Sequence, residues 1–399
     1  MPFTIERLGL QGDGIADGPL YAARTLPGEV VEGDLSGDRL ENVKIVKPSS
    51  DRVAAPCKHY KGCGGCALQH ASDAFVAHWK QDIVRSALAA HGVDAPIRHM
   101  HTSAPQSRRR ATFTGRRTKS GASVGFHAPA SALIREVPEC RLVRPTLLDA
   151  VPALTEIVAK TGSRKGEMRL TVTDTINGID LAITGGKPMD REINAILTGF
   201  DFARISWDGE PVITKRKPQI SLGTSQVTPP PGAFLQATEE GQWSLLASVE
   251  EAIGDSGPIV DLFAGCGTFA LPLAKVAAVH AVEGEQEMLA ALDESWRHSL
   301  GLRDITTETR DLFRRPLLPD ELDRFDAAVI DPPRAGAEAQ IVEICASKIS
   351  RIASVSCNPV TFARDAALLT KSGYKLVWLD IVDQFRWSTH VELVALFER

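Results

Sequence analysis

A regular alternation of apolar strand-like runs and helix-like segments begins at Pro258 and limits the fold more than any other feature. Four short apolar runs are strand candidates: Ile259–Phe263, Ala277–Val282, Phe325–Ile330 and Ile352–Ser356. Helical segments between successive strands are typical of a parallel sheet covered on both faces. Two further runs, Lys375–Ile381 and His390–Phe397, lie too close together for a helical crossover. They therefore predict an antiparallel hairpin at the edge of a mostly parallel sheet.

The rest of the chain predicts two further units. Residues 3–47 alternate short apolar stretches with glycine-rich turns, which is typical of a small β-barrel or sandwich. Ser72 is expected to cap a helix whose apolar stripe is Phe75, Trp79 and Ile83. Alternating segments between residues 100 and 225 favour strands. The expected division is a barrel over residues 1–50, a central α+β domain over 51–235 and an α/β domain over 236–399.

The composition is that of an ordinary globular chain. Its 399 residues are 43% hydrophobic and 24% charged, with a formal net charge of −5. Residues 1–10 lack the apolar core of a secretory signal, and no apolar run reaches the roughly 18 residues of a membrane span. We expect a cytoplasmic monomer with no membrane partner. An acidic chain disfavours nucleic acid unless basic residues are locally concentrated.

Seven unevenly spaced cysteines point to metal binding or catalysis rather than to disulfides. Cys57, Cys63 and Cys66 crowd one glycine-rich loop, and Cys140 lies far downstream. Four thiolates can hold a structural zinc or an iron–sulfur cluster. Zinc ribbons favour two close pairs, so three near ligands and one distant ligand better suit a cubane cluster.

A glycine loop follows the first predicted strand of the α/β domain. Asp261–Phe269 includes Gly265 and Gly267, which allow the backbone to approach a ligand closely. The next strand ends at Glu283, where a carboxylate usually holds a ribose hydroxyl pair. The third glycine of the dinucleotide fingerprint is missing, and the loop resembles the first motif of class I methyltransferases. S-adenosylmethionine is therefore favoured over NAD. Asp311, which follows the next strand candidate, is either placed to reach the adenine edge or is an ordinary solvated loop residue.

Two proline-containing motifs follow the last two buried strands. Asp331–Arg334 and Ser356–Pro359 both belong at the carboxyl ends of strands, where open α/β sheets form their ligand crevice. The first motif alone suggests an amino-group methyltransferase, but Arg334 stands where those enzymes carry a stacking ring. A thiolate such as Cys357 can add to C6 of a pyrimidine and thereby make C5 nucleophilic. A base must then remove the C5 proton.

Together with Thr389–Glu392, these motifs resemble the RNA 5-methyluridine methyltransferases over nearly the whole chain. The resemblance implies a Rossmann-like class I methyltransferase domain that methylates C5 of uridine, with Cys357 as nucleophile and Glu392 as the base for the C5 proton. The implied S-adenosylmethionine contacts are Gln236, Phe263, Thr268, Glu283, Asp311 and Asp331. Thr238 and Thr268 stand where the family often has asparagine, which puts individual cofactor contacts in question.

The resemblance extends to the cysteine loop and the barrel. Family members with Cys-x5-Cys-Gly-Gly-Cys carry a [4Fe-4S] cluster, which implies four metal ligands here: Cys57, Cys63, Cys66 and Cys140. The barrel resembles the OB-like TRAM domain, which implies RNA binding. Three basic runs are candidate phosphate contacts or ordinary solvated faces: Arg108–Arg110, Arg116–Lys119 and Lys215–Lys217.

The implied partner is an RNA, with 23S ribosomal RNA favoured by the cluster cysteines and the barrel, and transfer RNA as the alternative. A cytosine C5 methyltransferase uses the same thiol addition, but Glu392 and the Ser-Cys-Asn-Pro context favour uridine. A non-catalytic RNA-binding factor on the same fold predicts loss of the nucleophile or the base. Both Cys357 and Glu392 are present.

Overall fold

The computed structural model describes residues 2–399 and begins with a small closed β-barrel. Its strands are β1 (Phe3–Leu8), β2 (Gly14–Ala16), β3 (Leu20–Ala22), β4 (Val30–Ser36) and β5 (Arg39–Lys47). They close in the order β1-β2-β3-β5-β4. The interior is filled by Ile5, Ala16, Ala22, Val31 and Leu40. The predicted N-terminal barrel is therefore confirmed.

One helix and one strand follow the barrel: α1 (Asp73–Ala89) and β6 (Ile97–Thr102). Ser72 caps α1 as predicted, because its hydroxyl accepts a hydrogen bond from the Phe75 N–H at 3.2 Å. The buried residues of α1 are Val76, Lys80, Val84 and Leu88. The predicted stripe was one position too early, and its three residues are only partly buried. The reason is Lys80, a charged residue that occupies the centre of the buried face.

The central part of the chain forms a seven-stranded sheet with three helices. In chain order, its elements are β7 (Arg110–Arg117), β8 (Ala122–His127), β9 (Ile134–Arg135), α2 (Pro145–Asp149), α3 (Val151–Thr161), β10 (Met168–Thr175), β11 (Gly178–Thr184), α4 (Arg191–Thr198), β12 (Arg204–Trp207) and β13 (Glu210–Thr214). The strand order is β13-β12-β11-β10-β7-β8-β9. A separate hairpin follows: β14 (Ile220–Leu222) and β15 (Ser225–Val227).

The C-terminal part alternates helices and strands as predicted. Its elements are α5 (Glu239–Ile253), β16 (Ile259–Leu262), α6 (Ala270–Leu273), β17 (Val279–Glu283), α7 (Gln286–His298), β18 (Ile305–Thr309), α8 (Pro319–Leu322), β19 (Ala327–Ile330), α9 (Glu338–Ala346), β20 (Arg351–Ser356), α10 (Pro359–Lys371), β21 (Lys375–Asp383) and β22 (Glu392–Glu398). The sheet has eight strands in the order β18-β17-β16-β19-β20-β22-β21-β6. Only β22 runs antiparallel to its neighbours.

The sheet separates two apolar cores. Successive residues of a strand point to opposite faces, so Ile259 and Val329 enter one core while Val260 and Ile330 enter the other. The second core also contains Val84, which α1 contributes. Every residue of β16 and β19 is buried, as expected for strands covered by helices on both faces.

Two expectations differ from the structure at the far side of the sheet. The terminal strands do form an antiparallel pair, but their predicted edge position is wrong because β6 adds to β21 in parallel. β21 is almost entirely buried, and a covering strand satisfies the backbone groups of its outer edge. β6, placed by sequence in the 51–235 unit, therefore joins the C-terminal sheet, and α1 packs against the same sheet. Among residues 2–399, no helix combines the length and the apolarity needed to cross a membrane.

Candidate active site

Cys357 and Glu392 meet where two neighbouring strands reach the same edge of the sheet. Ser356 ends β20 and pairs with Leu393 in β22, so the next residues along this register are Cys357 and Glu392. Because β22 is antiparallel, its first residue lies beside the carboxyl ends of the parallel strands. The two predicted reacting residues, 35 positions apart in the sequence, are thus brought together by backbone pairing.

Glu392 is a buried carboxyl with an unusually high proton affinity. Glu392 is 4% exposed, and its burial is the main reason why the pKa of its carboxyl is raised to about 8. The carboxylates of Asp331 and Asp383 raise the pKa further, whereas a hydrogen bond from Gln384 and the ammonium of Lys80 lower it. A carboxyl with a pKa this close to neutrality is suited to accept a proton and release it again.

Cys357 lies in the turn between β20 and α10. The turn is held by Asn358, whose side chain caps α10 at the Val360 N–H and donates a 2.9 Å hydrogen bond to the Arg334 carbonyl. Burial raises the pKa of the Cys357 thiol to about 11, with further contributions from Glu392 and Asp331 and an opposing one from Arg334. The thiol is therefore protonated at neutral pH and must lose its proton as it attacks.

The loop after β16 is tied to Glu283. The Gly265 N–H donates to one carboxylate oxygen at 3.0 Å, and the N–H groups of Gly284 and Glu285 donate to the other at 2.7 and 3.1 Å. Gly265 has a φ of +55°, a conformation that suits glycine. The oxygen bound by Gly265 accepts only that one hydrogen bond, so Glu283 can still accept a hydrogen bond from a ligand hydroxyl through its second lone pair.

Carboxyl groups concentrate at this edge of the sheet. Asp261 is fully buried, and neither of its side-chain oxygens makes a well-formed hydrogen bond. Burial, together with the nearby carboxylates of Asp331 and Glu283, raises the Asp261 pKa well above its usual value. Burial likewise raises the pKa of Asp331 to about 7. Such a group favours a cationic ligand, and S-adenosylmethionine, with a sulfonium and an ammonium, fits this requirement.

Aromatic rings border the same crevice. Phe263 has a φ of +64°, and its ring lies 5.4 Å from that of Phe313. Phe313 is 48% exposed and was not predicted as a site residue. Asp311 accepts hydrogen bonds from the backbone N–H groups of Phe313 and Arg314 at 3.0 and 3.3 Å, so it shapes this loop. Thr268 is partly buried at the end of the glycine loop.

Gln236 lies on the side of the reacting groups. Its side chain is buried and its amide oxygen accepts a hydrogen bond from Gln384, which also donates to Glu392. Thr238, two residues later, caps α5 by accepting a hydrogen bond from the Gly241 N–H at 2.9 Å. The Thr238 hydroxyl therefore stabilises the N-terminus of α5.

The four predicted cluster cysteines line a single cavity: Cys57, Cys63, Cys66 and Cys140. Backbone N–H groups point at two of the sulfurs, from Gly65 to Cys63 at 3.3 Å and from Leu142 to Cys140 at 3.4 Å. Such donors are the ones that stabilise thiolate ligands. Within residues 2–399, however, no group of three or more histidine, cysteine, aspartate or glutamate side chains has the arrangement of a site for a metal ion. The structure brings the predicted ligands together without confirming a metal centre.

Most of the predicted phosphate contacts are engaged within the chain. Arg109 is only 3% exposed and donates to the Gln236 carbonyl and the Gln242 side chain. Arg116 pairs with Glu167. In the third run, Arg216 and Lys217 form ion pairs with Asp201 and Glu294 at 2.9 and 3.0 Å, respectively. Spacing alone did not reveal these partners.

Arg334 and Arg108 are better placed to meet a polyanion. Burial is the main cause that lowers the pKa of His390, two positions before Glu392, and the cations of Arg334, Lys80 and Arg108 lower it further. Arg334 is itself exposed beside the Cys357 turn, and Arg108 lies 5.5 Å from the ring centre of Phe385. Positive charge therefore flanks the mouth of the crevice, while carboxyl groups with raised pKa values lie at its base.

The strand order from β18 to β21, the glycine loop after β16 and the acidic strand ends define a class I methyltransferase. A family model described as tRNA (uracil-5-)-methyltransferase matches residues 301–399. An uncharacterized RNA methyltransferase from Brucella suis biovar 1 (strain 1330) is 42% identical over 403 residues, which cover 99% of this chain and 97% of that protein. The chain therefore belongs to the RNA uracil-C5 methyltransferase family.

Two other similarities extend along the chain. The 23S rRNA (uracil(1939)-C(5))-methyltransferase RlmD from Shewanella sp. (strain ANA-3) is 29% identical over 430 residues, covering 99% of this chain and 95% of that protein. The crystal structure of Pyrococcus abyssi tRNA (uracil-54, C5)-methyltransferase in complex with S-adenosyl-L-homocysteine superposes with a TM-score of 0.80 at 22% identity, covering 100% of this chain and 99% of that one. The latter shows that the whole fold is shared.

Proposed function

We propose that the protein transfers a methyl group from S-adenosylmethionine to C5 of a uridine in RNA, with Cys357 as nucleophile and Glu392 as base. The observation that carries the proposal is the pairing of β20 with β22, which places a thiol and a buried carboxyl side by side. Both lie at the crevice edge next to Asp331 and the loop bound to Glu283. The test is the formation of 5-methyluridine by purified enzyme.

In the proposed reaction, the Cys357 sulfur gives up its proton to water and bonds to C6 of the uracil, and the C5=C6 electron pair moves toward C5 and O4. Bound S-adenosylmethionine supplies an electrophilic methyl group on a positively charged sulfur. C5 uses that electron pair to bond to the methyl group, the S–CH3 bond breaks and S-adenosylhomocysteine is the leaving product. Glu392 then removes the C5 proton. The C5–H electrons restore the C5=C6 bond, the C6–S bond breaks and the Cys357 thiolate leaves.

The proposed RNA substrate is 23S ribosomal RNA, by analogy with the Shewanella relative, which is 29% identical. The exposed Arg334 and the partly buried Arg108, both at the crevice mouth, suit phosphate binding. The target uridine must leave its stack to reach Cys357, so an unpaired loop is the expected context. We propose that the N-terminal barrel contributes a second RNA contact in the manner of a TRAM domain.

Mapping 5-methyluridine in total RNA from a strain that lacks the gene tests the choice of substrate. Loss of one 5-methyluridine from 23S rRNA is expected, with transfer RNA unchanged. Loss from transfer RNA alone would replace the ribosomal assignment, and a missing 5-methylcytidine would replace the uridine assignment.

Glu283→Ala is expected to weaken S-adenosylmethionine binding about 10- to 100-fold, because a charge-assisted hydrogen bond contributes about 1.5–3 kcal/mol. Calorimetry with the purified protein measures the change. Glu283→Gln, which keeps an acceptor for the backbone N–H of Gly265, separates loss of ligand contact from loss of loop structure. Glu287→Ala, an exposed carboxylate of α7, is the matched control. Unchanged affinity in both Glu283 variants would rule out the ribose role.

We further propose that Cys57, Cys63, Cys66 and Cys140 hold a [4Fe-4S] cluster. Support comes from their common cavity and from the backbone N–H groups directed at Cys63 and Cys140. When bound, such a cluster adds covalent cross-links between the loop of residues 57–66 and the segment around Cys140. The methyl-transfer chemistry does not call on it, so its expected contribution is to the stability of this region.

Anaerobically purified protein is expected to contain about four irons and four acid-labile sulfides per chain. Cys63→Ser is expected to lower the iron content and the melting temperature, because one thiolate ligand is lost. Cys345→Ser, which alters a cysteine outside the cavity, is expected to leave both unchanged. Stoichiometric zinc without acid-labile sulfide would contradict the cluster.

A further inference from the structure

The side chain of Gln384 bridges two polar residues at the reacting end of the site. It follows β21 directly and is 1% exposed. Its amide nitrogen donates to Oε2 of Glu392 and to Oε1 of Gln236. Its amide oxygen accepts hydrogen bonds from the backbone N–H groups of Ala237 at 2.6 Å and Thr238 at 3.3 Å. All the usual hydrogen-bonding positions of one buried amide are thus occupied.

The backbone partners fix which way this amide points. An N–H group can only donate, so the Gln384 atom that faces Ala237 and Thr238 must be the oxygen. The NH₂ group must then face Glu392 and Gln236, and both of its hydrogens are used. A flipped amide would place two donors against two backbone donors in a buried site, which is strongly unfavourable.

Packing also holds Gln384 in place. Gly241, in the first turn of α5, lies so close that a Cβ atom on it would be 2.6 Å from Cβ of Gln384. Thr238, whose N–H binds the Gln384 oxygen, is the cap of the same helix. The start of α5 is therefore pressed directly onto Gln384, and a side chain at position 241 would displace it.

We propose that Gln384 is a positioning residue that favours the ionised, proton-accepting form of the Glu392 carboxylate and fixes its orientation; this rests on the proposed function. Its N–H engages Oε2 of Glu392, which leaves Oε1 to take the C5 proton. Because the donor is neutral and cannot accept, it favours the carboxylate over the protonated acid.

Most of the other titratable groups around Glu392 are acidic and raise its pKa, so the hydrogen bond from Gln384 matters for keeping the carboxylate ionised. Asp331 lies after β19, Asp383 at the end of β21, and the Cys357 thiol after β20. The cation that faces Glu392 is Lys80 of α1, which forms a buried 2.7 Å ion pair with Asp383. Since Asp383 largely neutralises Lys80, the Gln384 amide is the main contact that opposes the burial of the Glu392 charge.

The experiment uses full-length enzyme and its RNA in single turnovers, quenched into denaturant at several pH values between 6 and 10. The decay of the protein–RNA adduct reports on proton removal, since Cys357 is already bonded to C6. In Gln384→Met the pKa of Glu392 is expected to rise by about one unit. The ionised fraction at pH 7 then falls, so adduct decay slows roughly tenfold. The rising limb of the pH profile moves to higher pH by the same unit, and the rate recovers in alkali.

Gln340→Met is the matched control, because Gln340 is an equally buried glutamine whose amide binds the backbone of Leu317 away from the crevice. It is expected to keep the wild-type pH profile. Gln384→Glu keeps the size and the acceptor for the Ala237 N–H but removes the donor, so a larger shift in the same direction is expected. It provides the test if the methionine variant does not fold.

The possible outcomes separate the two hypotheses. If wild-type enzyme forms neither adduct nor 5-methyluridine, the proposed function fails. If wild type forms both, and a folded Gln384 variant has the same rate of adduct decay as wild type at every pH, the positioning role is overturned. A uniform loss of rate with no displacement of the pH profile also overturns it, because that is the effect of general loosening.

Discussion

Cys357→Ala is expected to lower 5-methyluridine formation more than about a thousandfold while RNA and S-adenosylmethionine still bind. Without a sulfur to add to C6, C5 of uracil remains too poor a nucleophile to take the methyl group. The loss of a partly buried thiol at the end of β20 leaves the ladder with β22 intact, so the fold is expected to survive. Incorporation of tritium-labelled methyl groups into RNA measures the effect.

A second alanine variant separates this role from a general need for thiols. Cys345 is also partly buried and reduced, but it lies in α9, and its thiol contacts the Leu368 carbonyl. Cys345→Ala is expected to retain near-normal turnover. Near-normal turnover of Cys357→Ala would instead rule out covalent catalysis by this residue.

Glu392→Gln is expected to stall the enzyme after methyl transfer rather than before it. The variant keeps the shape of the side chain but cannot take the C5 proton, so the C6–S bond cannot break. A methylated protein–RNA adduct should accumulate to nearly one per enzyme and appear as a shifted band on a denaturing gel. Multiple turnover should fall more than about a hundredfold.

Glu398→Gln provides the comparison within the same strand. Glu398 ends β22 and forms a 2.9 Å ion pair with Arg351 away from the crevice. It is expected to turn over normally without a persistent adduct. An unshifted protein band in Glu392→Gln, with no methylated RNA, would show that Glu392 acts before C5 is methylated.

The catalytic half of the fold was predictable because its strands are buried on both faces. Residues 259–262 and 327–330 form short, wholly apolar or nearly apolar runs, and each is followed by a motif at its carboxyl end. Because those ends share one edge of the sheet, the approximate positions of Asp331, Cys357 and Glu283 followed from chain order alone. The antiparallel pair at the end followed from its short connection.

Other parts depended on partners that are distant in sequence. Residues 97–102, Ile-Arg-His-Met-His-Thr, have too little apolar alternation to mark a strand, yet β21 needs a neighbour there. Lys80 interrupts an apolar stripe because its partner is Asp383, about three hundred positions away. For the same reason Arg109 appeared as a surface cation in a basic run, although it binds Gln242 in the interior.

Gln384 shows the same limit within the site itself. A glutamine between two strands carries no local pattern, and only the approach of α5 and β22 reveals its four contacts. Asp261 was not predicted as a site residue either, although its sequence carries a signal: a charged residue inside a four-residue buried strand is costly unless it has a purpose. Phe313 could not be predicted from the sequence, because its place at the crevice is shown by its contact with the Phe263 ring. The position of that ring depends in turn on the positive φ of Phe263.

The position of β6 has a consequence for biosynthesis. A ribosome releases residues 73–102 long before β21, so α1 and β6 must wait, with apolar residues such as Val84 and Leu88 not fully covered, until β21 has emerged. We expect the catalytic sheet to be completed late in folding, because contacts of such large sequence separation form slowly. A chain that ends before β21 lacks Asp383, the strand with which β6 pairs and Glu392, so premature termination is expected to yield no partly active methyltransferase.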